Sequence, residues 1–277
     1  MTMRSFLLAS LLAVTGINAL PLTAYATETP YEAPVSGTVV TLPSGAPMTV
    51  FPAKDPNGMA VVALPGGGYV YLAVDHEGKD SAPWFNERGI TLGVVEYTMP
   101  DGNPSLPLTD AWDAVRYFRE NKELYHLDPD EIGVMGSSAG GHLAASVSAL
   151  APDAECRPDF TILFYPVISL WDSENVHAGS RDALLGKGAS EELVRAYSPD
   201  LHVDSLTPPA FITFSNDDYL VPSANGLNYY KALNREHKNA VVHIYPTGGH
   251  GWGWRQTPYT TLWQDELDNW LMGLSED

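Results

Sequence analysis

Three polar residues suited to acyl transfer follow predicted strands in the order Ser138, Asp218 and His250. Ser138 is the apex of segment 136–140, which reads GSSAG and joins an apolar run to a helical one. Small residues on both sides of a serine permit the sharp turn of a nucleophile elbow. A histidine between glycines can take the serine proton, and a late acid can orient that histidine. The pattern predicts a covalent acyl-serine mechanism.

Two adjacent aspartates compete for the acid position. Asp217 and Asp218 both follow the apolar run 210–214, where a strand is expected to end. The D-x-x-V-P pattern beginning at Asp218 matches the usual acid loop of such sites. Asp218 is therefore the predicted acid, and Asp217 is interpreted as a turn or capping residue.

A triple glycine follows a second buried run. Residues 59–64 are apolar, and residues 65–69 read PGGGY. Glycines at the end of a buried strand let the backbone direct its N–H groups into a cavity. We expect an oxyanion hole formed by the N–H groups of Gly67 and Gly68, completed by that of Ala139.

Four further residues are candidate substrate contacts because they lie next to these motifs. His76 and Glu77 follow the glycine loop, and the alternative for them is capping of the next helix. Trp252 and Trp254 follow His250 and are suited to stacking on a ring of the substrate, with packing into the core as the alternative.

The remaining histidines and the single cysteine do not indicate a second site. No H-x-x-x-H or clustered Cys/His spacing predicts a metal, and no cofactor is expected. Cys156 has no partner cysteine and lies in a loop-like segment. His142, in the predicted elbow helix, is expected to pack beneath the site.

Strands and helices alternate along the chain. Apolar or β-branched runs predict strands at 36–42, 47–51, 59–64, 90–97, 132–135, 160–167, 210–214 and 241–245. Helical patterns cover 81–88 and 108–123 between them. Such alternation predicts an α/β fold with a doubly wound, mainly parallel sheet and a ligand crevice at the carboxyl ends of its strands. The long irregular segment 168–209 is interpreted as a small lid insertion.

Length and charge set the context for this site. The chain has 277 residues, a length that suits one catalytic domain, predicted over 27–277. Residues 1–26 are predicted to form a leader. Arg4, a short apolar stretch and a small-x-small motif are typical of a signal peptide, which implies a secreted or periplasmic protein. A membrane anchor is the alternative, although the stretch is short for one. The net charge of −19 disfavours nucleic acid and anionic membranes as partners and favours neutral substrates.

The motifs together resemble the secreted carbohydrate acetyl esterases and feruloyl esterases of the α/β-hydrolase superfamily. The matching segments are 64–69, 76–78, 134–144, 179–186, 207–211 and 248–253, and the order Ser, Asp, His is that of this fold. The resemblance implies removal of acetyl groups from xylan or xylo-oligosaccharides by Ser138, Asp218 and His250. One departure is Thr98, which follows Tyr97 where these proteins usually carry arginine.

Other functions remain open at this point. A feruloyl esterase would use the same residues on a different acyl group. A prolyl-oligopeptidase-like peptidase shares the motifs, but no repeat-rich propeller precedes them here. A lipase would carry a more apolar lid, and a non-catalytic binding module would be expected to have lost one of the three residues. The sequence does not indicate an oligomeric state.

Overall fold

The computed structural model describes residues 36–274, and these belong to one compact unit. The expected leader, residues 1–26, lies outside the described residues. Among residues 36–274, no helix combines the length and the apolar character needed to cross a bilayer.

The described part of the chain forms one eight-stranded sheet. Its strands are β1 (Thr38–Thr41), β2 (Pro47–Phe51), β3 (Ala60–Leu64), β4 (Thr91–Val95), β5 (Ile132–Ser137), β6 (Phe160–Phe164), β7 (Ala210–Ser215) and β8 (Ala240–Tyr245). Their order across the sheet is β1-β2-β4-β3-β5-β6-β7-β8. β2 pairs antiparallel with β1 and β4, and every other pairing is parallel. The predicted mainly parallel α/β fold is confirmed.

Eight α-helices lie between the strands or, for the last of them, after β8 within the described residues. They are α1 (Ala82–Glu87), α2 (Ser105–Glu120), α3 (Lys122–Tyr125), α4 (Ala139–Ala149), α5 (Ala178–Leu185), α6 (Glu191–Ala196), α7 (Ala224–Arg235) and α8 (Thr260–Leu274). Two short 3-10 turns, Lys79–Ser81 and Pro199–Leu201, complete the regular structure. α2 begins three residues before the predicted position because the first turn of a helix accommodates a proline, here Pro107.

The core lies on both faces of the central strands. Every residue of β3, β4, β5, β6 and β7 is buried, which explains their continuous apolar runs. β8 is only half-buried because it forms one edge of the sheet. The chain leaves β3, β5, β7 and β8 at their carboxyl ends into the loops that carry the candidate site residues.

Candidate active site

The turn between β5 and α4 holds Ser138 in a conformation that side chains rarely adopt. Its backbone has φ 55° and ψ −119°. Strain of this kind costs roughly 1–3 kcal/mol and persists where neighbours hold it. Here the Ser138 N–H donates to the Phe164 carbonyl at 3.0 Å, and the Ser138 carbonyl accepts from Val167 N–H at 3.0 Å. A side chain on Gly140 would overlap the Leu64 carbonyl, so the elbow requires glycine there.

The three side chains singled out in the sequence form one row of hydrogen bonds. His250 Nε2 lies 2.8 Å from Ser138 Oγ, and His250 Nδ1 lies 2.7 Å from Asp218 Oδ2. The carboxylate accepts the Nδ1–H, which leaves Nε2 free to accept the serine proton. Loops after β5, β7 and β8 supply the three residues, as expected for the carboxyl ends of parallel strands.

The two competing aspartates have different partners. Besides His250, Asp218 accepts the N–H groups of Leu220 and Val221 at 3.0 and 2.9 Å, and its side chain is completely buried. Asp217 accepts the N–H of Gly249 at 2.8 Å. Asp218 therefore contacts the imidazole, whereas Asp217 holds the backbone of the histidine loop.

The glycine loop after β3 presents backbone donors to the same cavity. Gly67 and Gly68 have φ values of 131° and 65°, which glycine adopts readily, and both line the cavity with Ser138. Their N–H groups have no hydrogen-bond partner within residues 36–274. Ala139 is buried and begins α4, where helix N–H groups lack an intrahelical acceptor.

Glu77 joins the glycine loop to the histidine loop. Its buried carboxylate accepts the Gly66 N–H at 2.7 Å and the Tyr165 O–H at 2.8 Å. The Tyr165 oxygen in turn accepts the Gly253 N–H at 2.7 Å, and its ring packs edge-on against His250 at 4.8 Å. Burial, followed by the Glu77 charge, raises the pKa of Tyr165 well above its ordinary value, so it donates as a neutral phenol. Although Glu77 lines the cavity, both of its oxygens bind the protein.

The cavity has a volume of about 970 Å³ and includes residues that the sequence motifs missed. Tyr71, Tyr219 and Arg255 line it with exposed side chains, and Tyr219 is 94% exposed. Each lies on a loop that carries a predicted site residue: Tyr219 follows the acid directly, and the other two lie a few residues beyond their motifs. Proximity along the chain was the available signal.

Two histidines also line this cavity. His76, a predicted contact, is half-buried, and its Nε2 lies 4.0 Å from Glu77 Oε1. His177 caps α5 by accepting the Ser180 N–H at 3.2 Å. Burial, and then the nearby His250, lower the pKa of His177. Of the segment 168–209, interpreted as a lid, only His177 contributes to the lining of this cavity.

The two tryptophans beside His250 are placed away from the cavity, which corrects their assignment as substrate contacts. Trp252 is 6% exposed and packs against Phe164, Tyr165 and Trp263. Trp254 also packs on Trp263, at 5.0 Å between ring centroids. Neither lines the cavity, because Trp252 is buried in the core and the half-buried Trp254 packs against that core, where burial of large apolar rings is favoured over exposure beside the site. The alternative of core packing is the observed one.

His142 lies beneath the elbow, as expected, and is 1% exposed. The Tyr69 O–H donates to its Nδ1 at 2.8 Å, and its Nε2–H donates to the Tyr197 carbonyl at 2.8 Å. These bonds connect the glycine loop, α4 and the segment 168–209. Within residues 36–274, no three potential ligands among His, Cys, Asp and Glu are grouped so that they could hold a metal ion.

Comparison with known proteins matches residues 61–253 to a family described as alpha/beta hydrolase fold. An acetylxylan esterase of Xylanibacter ruminicola is 40% identical over 234 residues, which are 83% of this chain and 48% of that protein. An endo-1,4-beta-xylanase B of Butyrivibrio fibrisolvens is 34% identical over 69% of this chain and 32% of its own length. The chain thus spans less than half of either relative.

A crystal structure of an acetyl ester-xyloside bifunctional hydrolase from Caldicellulosiruptor lactoaceticus superposes with a TM-score of 0.77. It is 33% identical, and the match covers 92% of this chain and 96% of that one. The resemblance to carbohydrate acetyl esterases is confirmed by these matches. The chain belongs to the alpha/beta hydrolase fold family.

Proposed function

We propose that this protein is a serine carboxylesterase that removes acetyl groups from carbohydrate, with xylan or xylo-oligosaccharide as its substrate class. The observation that carries the proposal is the row of hydrogen bonds from Ser138 through His250 to Asp218. This row opens into a cavity that the glycine loop also lines. A nucleophile, a base and an orienting acid within hydrogen-bond distance are the requirements of acyl transfer.

The reaction proceeds in two steps. His250 Nε2 takes the proton of Ser138 Oγ while the oxygen bonds to the ester carbonyl carbon, and Asp218 stabilises the resulting imidazolium. The imidazolium then protonates the departing sugar oxygen, which leaves an acetyl group on Ser138. A water molecule attacks that acetyl carbon and gives its proton to His250. Acetate leaves, and the proton returns to the serine.

The charge that develops on the carbonyl oxygen needs preorganised donors. We assign this role to the N–H groups of Gly67, Gly68 and Ala139, two of which belong to residues lining the cavity. The loss of one such donor raises the barrier by about 3 kcal/mol in hydrolases of this kind. Glu77 supports the arrangement, since it holds the N–H of the preceding residue, Gly66.

A sugar ester suits the size and lining of the cavity. A volume of about 970 Å³ far exceeds that of an acetyl group and leaves room for sugar units. Tyr71 and Tyr219 offer exposed rings, whose flat apolar faces can stack on a pyranose. The relatives named as acetylxylan esterase and acetyl ester-xyloside hydrolase support xylose-based substrates. The proposed leader over residues 1–26 would place the enzyme outside the cytoplasm.

Hydrolysis of 4-nitrophenyl acetate by wild-type protein and by Ser138→Ala tests the nucleophile. We expect the wild type to turn over the ester and to be labelled by a fluorophosphonate, which mass spectrometry detects as the mass of one added label. The variant should show neither turnover nor labelling. Ser173→Ala is the matched control, because Ser173 is exposed and does not line the cavity. Turnover or labelling that persists in Ser138→Ala contradicts the assignment.

A second assay tests the acyl group. Acetylated xylan and feruloylated arabinoxylan are incubated separately with the wild-type protein, and released acetate and ferulate are quantified. We expect acetate as the main product. Release of ferulate alone would replace acetyl esterase by feruloyl esterase and leave the serine mechanism intact.

A further inference from the structure

Arg255 lines the cavity without a partner of its own. Within residues 36–274 it is the one arginine whose side chain makes no hydrogen bond, ion pair or ring contact. The protein has 34 acidic residues against 15 lysines and arginines, so carboxylates outnumber these cations by more than two to one. Arg157 and Arg195 also lack a carboxylate partner, but Arg157 donates to the Ala151 carbonyl and Arg195 lies over the Trp171 ring.

The charges of the cavity lining explain why Arg255 stays unpaired. Among the described residues it is the one lysine or arginine of the lining, and Glu77 is the one acid. Glu77 is buried, and its two oxygens accept the Gly66 N–H and the Tyr165 O–H. Asp218 is committed to His250 and is completely buried. No carboxylate of the lining is left for the guanidinium.

The backbone beneath Arg255 is anchored, although its side chain is exposed. Its N–H donates to the Trp252 carbonyl at 3.0 Å, and its carbonyl accepts the Thr260 hydroxyl at 3.4 Å. The preceding residue, Trp254, is fixed in the aromatic core. The guanidinium is therefore carried by an anchored backbone and belongs to the exposed part of the cavity lining, whereas Ser138 is only 7% exposed.

We propose that Arg255 binds a carboxylate on the sugar portion of the substrate, so that the preferred ester is an acetylated oligosaccharide carrying a uronic acid. This inference rests on the proposed esterase function. An acetyl group has no carboxylate, so the anionic group belongs to the departing sugar. A guanidinium matches a carboxylate through two parallel N–H···O bonds. The net negative charge of the protein favours neutral substrates, but the positive charge of Arg255 makes the cavity lining a local exception.

The experiment compares two acetylated xylo-oligosaccharides of equal length. One carries a glucuronic acid branch, and the other carries its carboxyl-reduced form, a glucose branch of the same size. Acetate release gives kcat/KM for each, and their ratio measures the preference for the acidic substrate. The ratio is determined for wild type, Arg255→Gln, Arg255→Lys and the control Lys231→Gln, which removes one exposed positive charge outside the cavity.

We expect Arg255→Gln to lower this ratio by about tenfold, mainly through KM, because one charge-assisted contact in a partly exposed site is lost. Arg255→Lys keeps the positive charge but cannot form two parallel hydrogen bonds, so its ratio should lie between those of the wild type and Arg255→Gln. Lys231→Gln should match the wild type. A ratio in Arg255→Gln within about twofold of the wild type overturns the inference. Failure of the esterase proposal is distinguishable, because the wild type would then release no acetate from either oligosaccharide.

Discussion

His142 is expected to make the fold sensitive to acid. It is buried between the Tyr69 hydroxyl and the Tyr197 carbonyl, and it uses one ring nitrogen for each. Burial lowers the pKa of His142 from 6.5 to about 4, although the bond to the Tyr197 carbonyl partly opposes this shift. The imidazole thus stays neutral in the folded protein at pH values where the unfolded chain already binds a proton.

The sign and size of the effect follow from this difference. Above pH 6.5 neither state is protonated at His142, and its full contribution to stability is present. Between pH 6.5 and pH 4 the unfolded state binds more protons, so the free energy of unfolding falls as the pH falls. The loss is about 2 kcal/mol between pH 7 and pH 5 and about 3 kcal/mol once the pH is below 4. For a domain of this size, 2 kcal/mol lowers the melting temperature by roughly 4–8 °C.

Urea denaturation at pH 7, 6 and 5 checks the prediction for the wild type, His142→Gln and the control His126→Asn. Glutamine does not titrate and can still accept and donate a hydrogen bond. His126 is exposed and has φ 55°, which asparagine tolerates. From pH 7 to pH 5 the wild type and the control should each lose about 2 kcal/mol more than His142→Gln. An equal loss in all three proteins would refute the reasoning.

Two further predictions concern acidic residues that support the catalytic row: the pair Asp217 and Asp218, and Glu77. Asp218→Asn should lower kcat for 4-nitrophenyl acetate by about 10³- to 10⁴-fold because the histidine loses its oriented tautomer. Asp217→Asn should cost less than about tenfold, and a larger loss there would reverse the assignment of the two acids. In Glu77→Gln, the side-chain amide can accept from only one of the two donors, the Gly66 N–H and the Tyr165 O–H, and its own N–H group faces the other. We therefore expect kcat to fall roughly 10- to 100-fold, with a smaller change in KM. A loss confined to KM would show that Glu77 contacts substrate instead.

The sequence predicts the sheet well because its signals are local. Runs such as 59–64 and 210–214 contain only residues suited to strands covered on both faces, and each became a fully buried strand. The helices α7 and α8 were not predicted. α7 contains a glycine, Gly226, packed closely against the Phe214 ring, which is a tertiary contact without a local signature. Such contacts override weak helix propensity.

At the site, the types of the functional residues are easier to predict from the sequence than the directions in which their side chains point. The stretch around His250 places glycines and tryptophans in alternation, and the sequence does not reveal which side of the backbone faces the cavity. Gly253, at φ 52°, lies against the His76 backbone and turns the chain so that Trp252 and Trp254 enter the core. Glu77 presents the same problem. Its role depends on Tyr165, 88 positions away, and no spacing rule connects them.

Substrate selection is therefore expected to depend on the same loops that carry the chemistry. Tyr71 lies three residues beyond Gly68, Tyr219 is adjacent to Asp218, and Arg255 follows His250 by five residues. Backbone hydrogen bonds such as Gly66 N–H to Glu77, Gly249 N–H to Asp217 and Arg255 N–H to Trp252 hold these loops, so the neighbouring side chains start from anchored backbone. The segment 168–209 contributes only His177 to the cavity lining. Substitutions on the catalytic loops should consequently alter specificity more than substitutions in α5 or α6.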